Sequence, residues 1–341
     1  MTGRTGSQAT GGTMTGDRGG AGGTGAGGSA SPRPRPGLPR GGSAARGAAP
    51  RTGRPGPLWV VPGLLYFGLF AALPMVLVAY LSLTSWGGLG SPRFIGLENW
   101  SRLAGDPLMH NAVWLSVLLT ALSWIVQTPI SLLLGVWAAG QQRNRAVLSA
   151  VFFLPLLLSS AAIALVWRAL LDPNFGPLAW LGPRLGLSSV DVLGGSDSAF
   201  LVIVFVSAWQ FIPLHMLLYQ GGARQIPATL YQAAEIDGAG RLRAFWYITL
   251  RQLRHTVTTS SVLMVVGALT YFDTVLIMTG GGPGANTTIV PYLMYQAGFQ
   301  SWELGYASAV AFTLVVTATL IALLLVRFTG FGDMRSTREG M

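Results

Sequence analysis

Six long apolar segments alternate with polar stretches along the chain. Their approximate bounds are 58–83, 112–139, 147–170, 199–221, 256–279 and 305–327. A bilayer core of roughly 30 Å requires about 20 apolar residues in helical form. The pattern therefore predicts an all-α polytopic membrane domain with six transmembrane helices. Prolines inside these segments, such as Pro155 and Pro213, do not argue against spans, because membrane helices tolerate proline better than soluble helices do.

The first 56 residues show no apolar periodicity and contain 18 glycines. Such a segment cannot bury enough surface to offset the entropy lost on ordering. We therefore predict a disordered cytoplasmic tail over 1–56 and a transmembrane domain over 57–341. The pattern Gly-x-Gly-x-x-Gly occurs twice in the tail. Because no strand precedes it and no helix follows, it does not indicate a nucleotide site.

The composition is that of a membrane protein: 51% of the residues are hydrophobic, 10% are charged and the mean hydropathy is +0.51. Eight of the 22 basic residues lie in the tail, so the net charge of +10 is not a nucleic-acid signal. All basic residues are arginines, and without lysine the chain has no Walker A loop. It also has no cysteine, and we predict no metal site, no cofactor and no nucleic-acid partner.

The distribution of arginine predicts the orientation, because cytoplasmic flanks of membrane helices carry an excess of positive charge. With the N-terminus inside, ten arginines beyond the tail lie on the cytoplasmic side and four on the outer side. Both termini and the loop 222–254 then face the cytoplasm, and the spans themselves contact membrane lipid. The four outer arginines are Arg93, Arg102, Arg168 and Arg184.

The loop between the fourth and fifth segments reads as two short helices with a bend. Pro227 suits the first turn of the first helix, and Asp237-Gly238 is a strong helix break. After the break, apolar residues recur at helical spacing and predict one apolar face. They are Leu242, Phe245, Trp246 and Thr249. On periodicity alone, an ordinary cytoplasmic loop helix explains this pattern.

The residues of this loop resemble the cytoplasmic signature loop of ABC-importer permeases. The similar positions are Gln232-Ala233-Ala234, then Asp237-Gly238-Ala239, Phe245 and Ile248-Thr249-Leu250. In that family the loop docks on the ATPase subunit, which implies a coupling role for Tyr231, Gln232, Ala233, Ala234, Asp237, Gly238 and Ala239. Two positions depart from the family pattern: Gln232 replaces a glutamate and Arg251 a proline.

Two outer segments add to the resemblance. Phe94 to Trp100 looks like the Phe-x-Gly-Leu-x-Asn-Tyr segment of sugar-importer permeases. Thr279-Gly280-Gly281-Gly282-Pro283, with Thr287, Tyr295, Phe299 and 305–309 downstream, looks like a loop of the maltose and glycerol-phosphate subfamily, in the first of its two permease subunits. Taken alone, three glycines and a proline simply form a turn and need no ligand. The resemblance covers about 58–328.

The resemblance implies the type I importer permease fold, with a core over 111–327 and the coupling loop over 222–254, in the bacterial cytoplasmic membrane. It also implies the partners: a second, homologous permease subunit, an ABC ATPase dimer and an extracytoplasmic solute-binding protein. Together they import a sugar or a sugar-like solute by alternating access. The chain itself is then not an enzyme, because ATP hydrolysis belongs to a separate chain.

Polar residues within the apolar segments are candidates for the substrate path. Asp273 lies near the outer end of the fifth segment, and an intramembrane carboxylate is a functional candidate by default. The other candidates are Tyr271, Trp209, Gln210 and Gln127. A structural interpretation stands beside this one, since Trp and Gln also connect helices and an aspartate near the interface can simply be hydrogen-bonded.

Two other functional classes remain open at this point. An ion-coupled secondary transporter would use Asp273 as its proton or cation site, although that residue has no cationic partner within the segments and the halves show no inverted repeat. A membrane scaffold without transport would need none of these residues. The sequence offers no Gly-x-Ser-x-Gly and no intramembrane carboxylate pair, so an enzyme has little support.

Overall fold

The structure is a computed structural model that describes residues 57–140, 150–181, 184 and 191–328. The predicted tail over 1–56 lies outside these residues. The described part is predominantly helical, which confirms the all-α class. In chain order the helices are α1 Val61–Leu81, α2 Glu98–Gly105, α3 Pro107–Ala138, α4 Leu154–Leu157, α5 Ser160–Leu170, α6 Pro177–Leu181, α7 Ser196–Arg224, α8 Ala228–Ile236, α9 Arg241–Ala244, α10 Leu250–Gln252, α11 Arg254–Leu269, α12 Asp273–Met278, α13 Val290–Tyr295 and α14 Leu304–Phe328.

Five helical stretches are long and apolar enough to cross a membrane, and they match five of the six predicted segments. They are α1, α3, α7, Arg254–Met278 (α11 with α12) and α14. Wide helical turns lie within α1, at Gly68–Ala72, and in two further places, Phe245–Thr249 before α10 and Gln296–Gln300 after α13. Two-residue strands, β1 Thr84–Ser85 and β2 Arg93–Phe94, pair antiparallel after α1.

A continuous third span over 147–170 is a wrong prediction for the residues that the structure describes there. The backbone is extended at Leu158 and Ser159, with ψ of 148° at each, and this break separates α4 from α5. Ser159 then starts a new helix, because its hydroxyl accepts a hydrogen bond from the backbone N–H of Ala162 at 3.2 Å. The 11 residues of α5 are too few to cross the bilayer alone.

The fifth segment is also interrupted, and the interruption changes the helical position of the candidate residue Asp273. Helix α11 ends at Leu269, and Phe272 (φ −131°, ψ −52°) leaves the helical conformation before α12 begins. Asp273 therefore lies in the first turn of a short new helix rather than inside a continuous span. Tyr271 is buried at the break.

The core of the bundle lies between α3 and α7, which approach very closely at Gly135. A Cβ at this position would lie 2.7 Å from the Met216 carbonyl oxygen, so only glycine permits the contact. One turn later, the Gln220 amide donates to the Ala138 carbonyl oxygen at 2.9 Å and satisfies the end of α3. By contrast, α1 has no buried residue.

The segment Phe94 to Trp100, which the arginine distribution predicts to be an outer segment, fastens the end of α1 to the start of α14. Asn99 is buried, and its amide donates to the carbonyl oxygens of Ser82 and Thr84 at 2.9 Å each. Gly305 lies against the same strand, since a Cβ there would be 1.9 Å from the Thr84 carbonyl oxygen. We call these contacts, with those described next, the outer clamp.

Charged groups complete the outer clamp. Arg102 forms an ion pair with Glu303 at 2.8 Å, and the Tyr306 hydroxyl donates to Asp106 at 2.6 Å. The hydrogen bond with Glu303 raises the pKa of Arg102 above its usual value. The residues of two predicted sequence signatures, 94–100 and 305–309, thus meet in one structural contact.

The Gly-Gly-Gly-Pro loop before α13 is held by internal contacts. Gly281 has φ of +80°, and a Cβ there would lie 2.4 Å from the Tyr292 ring. The Thr287 and Thr288 hydroxyls donate to the carbonyl oxygens of Gly282 (2.7 Å) and Gly281 (3.0 Å). These contacts account for the glycine at 281 without a ligand.

Candidate functional site

The predicted bend of the loop 222–254 is present and lies at Gly238. The N–H of Gly238 donates to the Glu235 carbonyl oxygen at 3.1 Å, and the N–H of Ala239 donates to the Ala234 carbonyl oxygen at 2.8 Å. This pair of bonds is a Schellman motif, which ends a helix with a left-handed residue. Gly238 is that residue, with φ of +69°. Nothing lies within 4 Å of a Cβ built on it, so its requirement for glycine is conformational rather than steric.

The start of α8 differs slightly from the prediction. Pro227 has an extended backbone (φ −61°, ψ 131°) and precedes the first helical turn, so it acts as the N-terminal cap position. Farther along α8, the Tyr231 hydroxyl lies 2.9 Å from that of Thr249. This hydrogen bond joins the first arm of the loop to the second, so that the two arms hold a fixed angle.

The outer surface of the loop carries large apolar side chains in contact with solvent. Ile236 is 87% exposed and Leu242 is 74% exposed, and Trp246 and Tyr247 are also exposed. The predicted apolar face of the second arm is divided, because Thr249 is buried and Phe245 half-buried while Leu242 and Trp246 point outward. Exposed clusters of this kind mark interaction surfaces. We call the exposed residues of 228–248 the loop surface.

The bend also forms a concave notch within the loop surface. Three alanines and Ile248 form its floor, and Asp237, Arg243 and Tyr247 stand at its rim. The alanines are Ala234, Ala239 and Ala244. Gln232 and Ala233 lie outside the notch and are exposed. The structure thus places the seven coupling candidates on one bent, solvent-exposed unit.

A second feature is an internal cavity of about 150 Å³ between α3, α7 and α11. Its polar lining includes Gln127, Ser123, Ser207, His215 and Tyr271. Gln127 is only 4% exposed, yet its side-chain amide has no hydrogen-bond partner among the described residues. A side-chain amide offers both hydrogen-bond donors and an acceptor, so this group is available to bind a polar molecule in the cavity.

The cavity wall is completed by aromatic and apolar side chains. Phe211 faces Tyr271 edge-on, with 6.0 Å between ring centroids. The Tyr271 hydroxyl accepts a hydrogen bond from Thr274 at 2.6 Å, which fixes the ring. His215 is held by Ser260, with 2.9 Å between the ring nitrogen Nδ1 and the hydroxyl oxygen. An aromatic wall with amide and hydroxyl groups is suited to a hydroxylated solute.

The other path candidates lie elsewhere. The Gln210 amide nitrogen donates to the Ser160 hydroxyl at 3.0 Å and so connects α7 to α5. Trp209 packs edge-on against Trp167, with 5.6 Å between centroids. Asp273 is exposed, beyond the cavity lining, and forms no ion pair with any described residue. The structure therefore brings together Gln127 and Tyr271, and separates them from Trp209, Gln210 and Asp273.

Several cavity residues were missed by the sequence analysis. Ser207, Phe211 and His215 recur at every fourth position of α7, and Ser123 precedes Gln127 by four residues on α3. Such i, i+4 spacing places them on one helical face. The signal was present, but only the packing of three helices shows that these faces meet.

Comparison with known proteins gives consistent results. Residues 131–331 match the family model described as "Binding-protein-dependent transport system inner membrane component". The probable ABC transporter permease protein YurN of Bacillus subtilis is 32% identical over 80% of this chain and 94% of its own length. The trehalose/maltose transport system permease protein MalF of Thermococcus litoralis is 30% identical over 82% of this chain and 95% of its own.

The fold is also shared with a solved structure, that of a bacterial alginate ABC transporter in complex with alginate pentasaccharide-bound periplasmic protein. The TM-score is 0.69 at 20% identity, and the match covers 83% of this chain and 95% of the other. The loop surface and most of the cavity lie inside the region that the family model covers. The chain therefore belongs to the family of inner membrane components of binding-protein-dependent transport systems, as a permease subunit.

Proposed function

We propose that this chain is the permease subunit of an ATP-driven importer for a sugar or sugar-like solute, and that ATP hydrolysis takes place on a separate ATPase chain. The observation that carries the proposal is the loop surface, a rigidly bent unit with exposed Ile236, Leu242 and Trp246. A cluster of large apolar side chains exposed to water usually marks a binding surface. The related MalF of a trehalose/maltose system supports the class of solute.

Each partner that we propose corresponds to a feature of the chain. Two ATPase copies bind from the cytoplasm, one of them at the loop surface within the coupling loop 222–254. A second permease subunit completes the transmembrane part, which agrees with the absence of buried residues in α1. A solute-binding protein delivers the solute from outside, as in the alginate transporter complex. Both termini are cytoplasmic in this arrangement, and 57–341 forms the permease domain.

The loop and the cavity are connected through one helical path. The second arm of the loop continues through α10 into α11, and α11 supplies Met264 and Gly267 to the cavity wall. The buried Leu253 packs with Leu132 and Tyr219 at the point where this path enters the bundle. Closure of the ATPase dimer would therefore move one wall of the cavity relative to the other two, which is the rigid-body movement that alternating access needs.

Co-purification tests the proposed assembly. The tagged full-length chain is extracted in mild detergent and its companions are identified by mass spectrometry. We expect an ATPase with a Walker A motif and a second polytopic permease. Replacement of Asp237 and Gly238 together should release the ATPase and leave the second permease bound, because these residues lie on the loop surface. Recovery of the chain alone would contradict the proposal.

We propose Gln127 and Tyr271 as solute-binding residues, with Trp209, Gln210 and Asp273 as further candidates along the path. Gln127→Ala should raise the KM for uptake by roughly 2- to 10-fold, because the loss of one hydrogen bond usually weakens binding by about this factor. Gln210→Ala is the comparison variant for a candidate outside the cavity: its amide nitrogen is engaged by Ser160 while its oxygen has no partner among the described residues, and we expect a smaller rise in the KM than for Gln127→Ala. Uptake rates with radiolabelled solute distinguish the two. A larger effect at Gln210 would place the path beside α5.

The ion-coupled alternative is not supported, since the chain belongs to a family of binding-protein-dependent permeases. Asp273, its supposed ion site, is exposed and lies at the start of α12.

A further inference from the structure

A groove between α3, α11 and α14 is distinct from the cavity described above. Its volume is about 550 Å³. Its lining is mainly apolar and includes Val117 and Ala121 of α3, Val257 and Val265 of α11, and Ile321 of α14. All three helices are candidate membrane spans. The groove therefore lies at bilayer depth.

The polar side chains in the groove wall are directed to partners within the chain. The Thr120 hydroxyl donates to the Ser116 carbonyl oxygen at 2.8 Å. The Thr258 hydroxyl donates to the Arg254 carbonyl oxygen at 3.1 Å. The Trp124 ring N–H donates to the Ser261 hydroxyl at 2.8 Å. The wall thus offers few hydrogen-bonding groups to a ligand, unlike the cavity with its unpaired Gln127 amide, so it fits a hydrocarbon chain rather than a polar solute.

The length of the groove agrees with one leaflet of a membrane. From Val257 to Leu269, both in the lining, α11 rises about 18 Å at 1.5 Å per residue. Half of a hydrocarbon core of roughly 30 Å is about 15 Å. An acyl chain of a single leaflet would therefore run along the groove from its cytoplasmic end to the region of the break after Leu269.

Arg254 marks the cytoplasmic end of the groove. At helical spacing it precedes Val257, Thr258 and Ser261 on the same face of α11. It is exposed, and no carboxylate lies within ion-pair distance of it among the residues that the structure describes. Its Nε donates to His255 at 3.2 Å, which holds the side chain beside the helix. The guanidinium is thus suited to a phosphate group.

We infer that this groove binds one anionic phospholipid of the cytoplasmic leaflet, with its phosphate on Arg254 and an acyl chain against Val257, Val265 and Ile321. The inference rests on the proposed function only for its orientation, which places the start of α11 on the cytoplasmic side. Lipid at this position would fill the space between the helix that connects loop to cavity and its neighbours α3 and α14.

Native mass spectrometry of the purified full-length chain tests the inference. The chain, in detergent, is incubated with phosphatidylglycerol or with phosphatidylcholine of identical acyl chains. Retention of phosphatidylglycerol should be about fivefold higher, from the attraction of one arginine for an anionic headgroup. Arg254→Gln should remove this preference, and Arg254→Lys should keep most of it. Arg241→Gln, an exposed arginine of the loop outside the groove, should change nothing.

A second variant tests the hydrocarbon part. Ala121→Trp fills the groove from its exposed side and should reduce retention of both lipids. Equal retention of the two lipids by the unaltered chain, or an unchanged preference in Arg254→Gln, would overturn the inference. So would release of the lipid when the second permease binds, because the groove would then be a subunit interface. The lipid-retention measurements on the chain alone require no ATP, solute or partner, so a failure there is separate from a failure of the proposed transport function.

Discussion

Replacement of Gly238 by valine is expected to reduce solute uptake at least tenfold while the chain still inserts into the membrane. Gly238 has φ of +69° and closes the Schellman motif at the end of α8. A β-branched residue held in this conformation costs about 1–3 kcal/mol, which is enough to favour a different angle between the two arms of the loop. The loop surface would then no longer present Asp237 and Ile236 together to the ATPase.

Two controls separate conformation from bulk. A Cβ at position 238 meets nothing within 4 Å, so Gly238→Asn, which tolerates positive φ, should retain most of the uptake. Gly240→Ala, where φ is −65° and the space is also open, should be close to normal. Uptake by vesicles and ATP hydrolysis by the assembled complex are measured side by side. Normal uptake by the valine variant would refute the role of the bend.

Replacement of Gly305 by alanine is expected to prevent stable folding of the outer half of the domain. The added Cβ would lie 1.9 Å from the Thr84 carbonyl oxygen, a backbone atom that cannot move aside without opening the outer clamp. Overpacking typically costs about 1–3 kcal/mol of folding stability, and occasionally more. We expect a cost at the upper end here, because the contacted atom belongs to the backbone. The expected result is a large loss of monodisperse protein after detergent extraction, with a lower unfolding temperature in whatever remains.

Matched variants test this interpretation. Gly221→Ala changes a helical glycine of α7 that has open space around it, and it should leave the unfolding temperature unchanged or slightly higher. Asn99→Ala removes two hydrogen bonds of the outer clamp without adding bulk, and it should produce an intermediate loss. Size-exclusion profiles across a temperature series give the comparison. If Gly305→Ala matched Gly221→Ala, the outer clamp would not be a stability determinant.

The sequence predicted those features that depend on local patterns. Hydropathy located the five long helices because each requires only a run of apolar residues. Asp237-Gly238 located the bend because a helix end with a left-handed glycine has a local signature. The break at Leu158 and Ser159 was missed, since uninterrupted hydropathy across 147–170 outweighed Pro155 and a capping serine. Hydropathy indicates which residues can be buried in lipid, but it does not show whether the helix backbone is continuous.

The candidate site was predicted only in part, for a geometric reason. Gln127 and Gln210 both read as polar residues inside spans, but Gln127 lines the cavity and the Gln210 amide nitrogen donates to Ser160. Which neighbour a helical face meets depends on contacts between residues far apart in the chain, and no single helix encodes it. The helix start at Asp273, within the candidate span Arg254–Met278, was not predicted because the backbone break at Phe272 has no strong sequence signal.

The helical path from the loop into the bundle has a mechanical consequence. From Leu250 to Leu269 it advances about 30 Å with only one irregular residue, Leu253. A helical rod of this length is stiff, and it ends at Thr270, where the backbone leaves the helix. The backbone break at Thr270–Phe272, which we call the joint, is then the place where this helical path can bend. In the proposed mechanism, a displacement of the loop would reach the cavity beside Tyr271, and the outer clamp beyond the joint would move less.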